Sequence, residues 1–233
     1  MPAGDITVSA KDGGRFSAYL AAPESGSGPG IVLIQEIFGV NAVMRGIADD
    51  LAGQGYLVAC PDLFWRQEPG VQISDKSQAE WDKAFKLMQG FDLAKGVDDL
   101  IATLGHLRGH KACTGKVGAV GYCLGGQLAY LMACRSTADA SVGYYGVMIQ
   151  NFLDEAKNIT KPLMLHIAEE DAFVPKADQA KIKDALKSNR QVTIHSYPAC
   201  DHAFARIGGE HYDKAAATLA NQRTLDFFKQ HLG

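Results

Sequence analysis

Strand-length apolar runs recur along this chain, and most are separated by segments long enough for an amphipathic helix. Runs at 31–35, 57–60, 117–121, 141–145 and 163–167 are apolar nearly from end to end, as in strands covered on both faces; 192–197 continues the series. Helical periodicity appears at 44–54, 124–134, 176–187 and 212–231, and 78–107 holds one or two further helices. A leading hairpin is expected from 6–10 and 16–21, joined by the turn Lys11-Asp-Gly-Gly. Such alternation predicts an α/β fold, a mostly parallel sheet of about eight strands flanked by helices. In sheets of this kind, chemistry gathers beyond the carboxyl ends of the strands.

Composition enters as a constraint on partners and compartment. Over 233 residues, 47% apolar and 21% charged residues are enough for one sizeable core, and the loop-like stretches 23–30 and 67–78 mark no change of composition. One domain over 1–233 is the expectation. The net charge of -3 comes with no run of Lys and Arg, so neither nucleic acid nor a membrane surface is expected as a partner. No apolar run approaches the roughly 20 residues of a membrane span. The start shows no basic stretch followed by an apolar one, as a secretory leader would. Five cysteines without a C-x-x-C pair leave an odd one over, which points to reduced thiols, a cytoplasmic protein and at least one thiol free for chemistry.

One segment stands out. The strand ending in Gly118-Ala-Val-Gly-Tyr-Cys-Leu-Gly-Gly runs straight into a helix, placing Cys123 where a Gly-x-Ser-x-Gly elbow holds its serine. Glycine is needed on both sides because so tight a bend brings backbone against backbone. At a helix N-terminus Cys123 would meet unpaired N–H groups that favour a thiolate, and the Leu124 N–H would face a developing oxyanion. A buried cysteine in a Gly-rich turn is otherwise a small hydrophobe. The segment fits neither of the Gly-rich phosphate-binding patterns.

An elbow nucleophile requires an acid and then a histidine later in the chain. Asp171 lies in the loop leaving the strand 163–167, and His202 lies just past the strand 192–197, so both fall at the carboxyl edge with Cys123. His202 would take the thiol proton and Asp171 would fix its tautomer. Glu169 and Glu170 are rival acids, and Asp171 could instead cap a turn. His166 lies inside a strand and reads as core; the other histidines have no motif context. The loop Gln35-Glu-Ile-Phe-Gly after the first buried strand supplies the second oxyanion donor in this architecture, here the N–H of Ile37. Glu36, a carboxylate ending an apolar strand, could share a proton with Cys123 or simply bind backbone amides.

Taken together, Gln35-Glu-Ile-Phe-Gly-Val-Asn, Cys60-Pro-Asp-Leu, Gly121-Tyr-Cys-Leu-Gly-Gly, Val142-Gly-Tyr-Tyr-Gly, Glu170-Asp-Ala-Phe-Val-Pro and His202-Ala-Phe-Ala-Arg resemble the dienelactone hydrolase family of the α/β-hydrolase superfamily over nearly the whole chain. The resemblance implies a cofactor-independent, metal-free hydrolase, a carboxymethylenebutenolidase that opens a dienelactone to maleylacetate in aromatic degradation. It implies a Cys123–His202–Asp171 triad, oxyanion donors at Ile37 and Leu124, and a Glu36 that takes the thiol proton when substrate binds. It also implies that Arg206 meets the substrate carboxylate. Where family members carry a second arginine this chain has Trp81, with Phe85 in place of a tyrosine. Trp81, Phe38, Phe173 and Tyr145, with Trp65 and Phe204, are the aromatics expected to line a pocket for a small flat lactone. A monomer or weak oligomer is expected. Two alternatives stand: an esterase or thioesterase of the same fold for a neutral substrate, and a protein using Cys123 as a redox-sensing thiol.

Overall fold

The hairpin that opens the fold owes its register to its turn. In this computed structural model, which describes residues 3–233, Gly13 takes a φ of 87° and the Ala10 N–H reaches the Gly14 carbonyl at 2.8 Å. Strands β1 (Gly4–Ser9) and β2 (Arg15–Ala21) therefore pair antiparallel, with Val8 opposite Phe16 on the buried face. Met1 and Pro2, which begin the stretch read for a leader, lie outside the described residues.

The eight strands belong to a mostly parallel sheet, and the chain divides into two compact units, 1–118 and 119–233. In the first unit the strands run in the order β1-β2-β4-β3. β3 (Gly28–Ile34) and β4 (Leu57–Pro61) pair parallel, and Ile31 to Ile34 and Leu57 to Cys60 are wholly buried. Each large side chain so buried contributes about 1.5–3 kcal/mol. β3 begins earlier than the sequence pattern suggests, inside the stretch read as a loop. Gly28 passes so close to the Gly55 carbonyl that a Cβ would sit 2.0 Å from it, which turns a flexible-looking Gly into a strand residue. Helix α1 (Ala42–Gly53) starts at Asn41, whose side chain accepts from the Met44 N–H. The segment 78–107 resolves into two helices, α2 (Gln78–Gln89) and α3 (Leu93–Arg108). Ser77 caps α2 and bonds Glu80, Asp92 caps α3, and the Gly90 turn separates them.

The second unit carries the order β5-β6-β7-β8, all parallel, with β5 (Cys113–Tyr122) entering from the first. β6 (Ser141–Tyr144), β7 (Leu163–Ala168) and β8 (Val192–Tyr197) follow. β6 stops one residue before the expected end because Tyr145 turns into the left-handed region, φ 36°. Helices α4 (Leu124–Arg135), α5 (Lys176–Leu186) and α6 (Lys214–His231) match their periodic segments. A 3-10 segment at Ile149–Asn158 has no counterpart in the sequence reading; only Ile149 of it is buried, so it leaves no apolar stripe.

His166 is core, as its position in β7 suggests, and its partners fix its proton. Arg223 can only donate, so the Tyr197 oxygen accepts from it at 3.2 Å and Tyr197 donates to His166 Nδ1 at 2.8 Å. His166 Nε2–H then donates to Thr224 at 3.0 Å, Thr224 to Tyr144 at 2.6 Å, and Tyr144 to Asn221 at 3.1 Å. Burial, with His195 and Arg223 nearby, holds the His166 pKa well below the ordinary histidine value. Among the described residues no helix is long and apolar enough to cross a membrane.

Candidate active site

The turn after β5 is shaped by glycine contacts. A Cβ on Gly121 would lie 1.9 Å from the Gly125 carbonyl oxygen, and one on Gly126 would lie 2.4 Å from that of Tyr144. Between them Cys123 is held at φ 58°, ψ -116°, a conformation that costs a non-glycine residue about 1–3 kcal/mol. Its N–H is tied to the Tyr144 carbonyl at 3.1 Å, and its own carbonyl accepts from Gly126 and Gln127 in the first turn of α4. Leu124 is the first residue of that helix, where an N–H has no acceptor within the helix.

Asp171 lies in the loop after β7 and His202 in the loop after β8; both are nearly buried. His202 Nδ1 stands 3.1 and 2.9 Å from the two Asp171 oxygens. A carboxylate only accepts, so Nδ1 carries a proton and Nε2 is the nitrogen left to exchange one. Nε2 is buried and has no hydrogen-bond partner of ordinary geometry among the described residues. Burial alone would lower the His202 pKa, but its interactions with Cys123 and the Asp171 carboxylate push it up to about 10. Cys123, His202 and Asp171 thus act on one another within the second unit. Asp171 also serves as the turn cap weighed against its chemical role, accepting from Phe173 N–H at 2.8 Å and Val174 N–H at 3.2 Å. The rival acids face elsewhere: Glu170 pairs with Lys176 at 2.7 Å, and Glu169 lies 4.0 Å from Lys183.

The His202 loop is strained. Ala199 and Ala203 both take positive φ, 57° and 63°, on either side of the histidine. Tyr145 and Phe173 meet the imidazole edge-on, at 5.1 and 4.8 Å between centroids, and Phe173 is half exposed. Phe204 is fully buried against Tyr197 and Tyr145, a packing residue rather than a pocket wall. Arg206 is 9% exposed, and its carbonyl accepts from Gly209 at 3.0 Å in the turn that follows.

In the first unit, Glu36 and Ile37 are buried just past β3. Trp81 lies on α2 with its indole N–H on the Asp75 carbonyl at 3.1 Å, edge-on to Phe38 at 5.0 Å and stacked on Phe85 at 5.5 Å. Trp65 stacks on Phe16 under the hairpin and donates to Asp99 at 2.9 Å, so it belongs to packing and not to a pocket.

Of the remaining cysteines, Cys60, Cys134 and Cys200 have thiol pKa values raised by burial, Cys134 to about 11; none of the five is in a disulfide. Sequence reasoning missed Asp201, whose carboxylate accepts from the N–H of Ala172 at 3.0 Å and of His202 at 2.6 Å. A contact between two loops leaves no local pattern to read. Among the described residues no cluster of three or more His, Cys, Asp or Glu could hold a metal.

Comparison with known proteins agrees with the motif evidence. The model of the "Dienelactone hydrolase family" matches residues 16–232. The carboxymethylenebutenolidase of Pseudomonas putida is 40% identical over 95% of this chain and 94% of its own. A chain of Azospirillum brasilense, provisionally given the same name, is 54% identical over 98% and 99%. A structure provisionally named a dienelactone hydrolase, from Klebsiella pneumoniae, aligns at TM-score 0.88 and 27% identity over 98% of both chains. An α/β hydrolase of Penicillium sp. shares the fold at TM-score 0.76 and 13% identity, over 100% of this chain and 99% of its own. This chain belongs to the dienelactone hydrolase family, α/β-fold carboxylic ester hydrolases acting on lactones and esters.

Proposed function

We propose that the protein opens a small anionic lactone, dienelactone to maleylacetate, by nucleophilic catalysis from Cys123. The observation that carries this reading is the His202 imidazole, with Nδ1 committed to both Asp171 oxygens, Nε2 left to exchange a proton, and its basicity raised in part by Cys123. His202 Nε2 takes the Cys123 thiol proton, the thiolate adds to the lactone carbonyl, and the resulting oxyanion is held by the N–H groups of Leu124 and Ile37. The ring C–O bond breaks, the departing enolate oxygen takes a proton from His202, and a thioester remains on Cys123. His202 then deprotonates water, which hydrolyses the thioester and releases the acid and the thiolate.

Glu36 as a carboxylate that shares a proton with Cys123, Ile37 as donor and Arg206 as the partner of the substrate carboxylate are supported by the family resemblance. Phe38, Tyr145, Trp81 and Phe173 are proposed to bind the flat substrate. A single domain over 1–233, acting as a monomer or weak oligomer in the cytoplasm, completes the proposal.

Cys123→Ala is expected to abolish hydrolysis with an unchanged circular dichroism spectrum, and unchanged turnover would end this reading. Single-turnover mass spectrometry should find Cys123 acylated; sulfenylation by peroxide without acylation would favour the thiol sensor.

One observation favours a second reading. Trp81 spends its indole donor on Asp75 and presents an apolar cluster where the family resemblance implies an arginine, which suits a neutral ester. Turnover of a carboxylated lactone against its methyl ester, in wild type and Arg206→Ala, separates the two. Loss confined to the carboxylated substrate supports the anionic one.

A further inference from the structure

Asp171 and His202 sit on loops from different strands, and the bond between them needs both loops held in one relative position. The residues on either side do that holding. Before Asp171, the Glu170 N–H donates to the Cys200 carbonyl at 2.9 Å. After it, the Ala172 N–H donates to Asp201 Oδ1 at 3.0 Å, and the same oxygen accepts the His202 N–H at 2.6 Å. The other Asp201 oxygen faces His211 Nδ1 at 3.6 Å. One half of this clasp is backbone and does not depend on the side chain at 201. The other half is the Asp201 carboxylate alone.

We infer that Asp201 is a positioning residue for the Asp171–His202 pair: its carboxylate pins the acid loop to the histidine loop so that Nε2 keeps its aim at the Cys123 sulfur. Ala199 and Ala203, both in the left-handed region, show that the histidine loop is held in a conformation its residues do not favour. The two N–H groups also keep Asp201 ionised below the usual carboxylate range, overcoming its partial burial. An ionised oxygen is the stronger acceptor for both.

The inference rests on the proposed Cys123–His202–Asp171 reading, and the test is arranged so the two can fail separately. Steady-state hydrolysis is measured for wild type, Cys123→Ala, Asp201→Ala and Asp201→Asn, with competent sites counted by stoichiometric alkylation of Cys123. Asp201→Ala is expected to lose about 10- to 100-fold in kcat per competent site with KM within about twofold, the scale of a misplaced catalytic group. Asp201→Asn keeps an oxygen for both N–H groups and should stay within about threefold of wild type. Should Asp201→Ala not fold, Asp201→Ser, which accepts one N–H rather than two, carries the same comparison. If Asp201→Ala lowers only the number of competent sites, or matches wild type while Cys123→Ala is inactive, the positioning role is wrong. Activity retained in Cys123→Ala would instead remove the reading beneath it, and this inference with it.

Discussion

Asp171→Asn separates the two duties of this residue more cleanly than any deletion. Asparagine has the same shape, and the Phe173 and Val174 N–H groups, at 2.8 and 3.2 Å from Oδ1, require an oxygen in that place. The amide nitrogen then falls where Oδ2 stands, 2.9 Å from His202 Nδ1. Two donors cannot face each other, so Nδ1 must give up its proton and Nε2 must carry it. An Nε2–H pointing toward Cys123 can no longer accept the thiol proton. The expected loss is ~10,000-fold in kcat, the scale of a wrong-tautomer triad and about 5.4 kcal/mol of barrier. Stability should fall by only about 1–2 kcal/mol, because the backbone contacts survive and one charged hydrogen bond becomes neutral. Asp171→Ala behaves differently, leaving the buried Val174 N–H and the imidazole without acceptors at about 1–3 kcal/mol each. The assay is lactone hydrolysis at neutral pH, paired with the pH dependence of Cys123 alkylation and a urea melt. A variant within about tenfold of wild type, alkylated with a wild-type pH profile, would refute the argument.

Two histidines make stability depend on pH from opposite sides. The folded His166 pKa is lowered, so below about pH 6.5, the ordinary value, the unfolded chain takes a proton the folded one refuses. Stability should therefore fall with acidification, by up to about 1.4 kcal/mol per pH unit, and His166→Gln should flatten that slope in urea titrations. The folded His202 pKa is raised to about 10, so its contribution is full below about 6.5 and is lost as pH climbs toward that value; His202→Gln should remove this alkaline decline. Gly121→Ala places a Cβ 1.9 Å from the Gly125 oxygen and should cost about 1–3 kcal/mol or more, read as a Tm lower by several degrees together with lost Cys123 reactivity.

Much of the site is legible from the sequence because its constraints are local. The elbow shows itself through Gly121, which packs against the backbone of Gly125 four residues on and tolerates no side chain. Asp171 and His202 follow from chain order at the ends of two strands that the apolar pattern already marks. The choice among Glu169, Glu170 and Asp171 is not in the pattern; it is decided by which carboxylate turns inward, and the two glutamates pair with lysines instead. The Asp201 clasp, the left-handed Ala199 and Ala203, and the turn at Tyr145 stay hidden because tertiary contacts impose conformations those residues would not adopt alone. Trp81 reads as an aromatic pocket residue, but in the fold its indole N–H is already spent on Asp75.

The polar relay through His166 makes α6 a support for the loops that carry Asp171 and His202. Asn221, Arg223 and Thr224 all ride on α6, and they supply the end points and the middle of the chain that satisfies Tyr144, His166 and Tyr197. Without α6, Tyr144 loses Thr224 and Asn221, His166 keeps only Tyr197, and Tyr197 loses Arg223, at about 1–3 kcal/mol for each buried group left unmet. Tyr197 is also where the loops bearing the acid and the histidine depart, its carbonyl accepting from Glu169 and Cys200. A chain without α6 therefore keeps the Cys123 elbow but lacks the footing that holds the Asp171 and His202 loops.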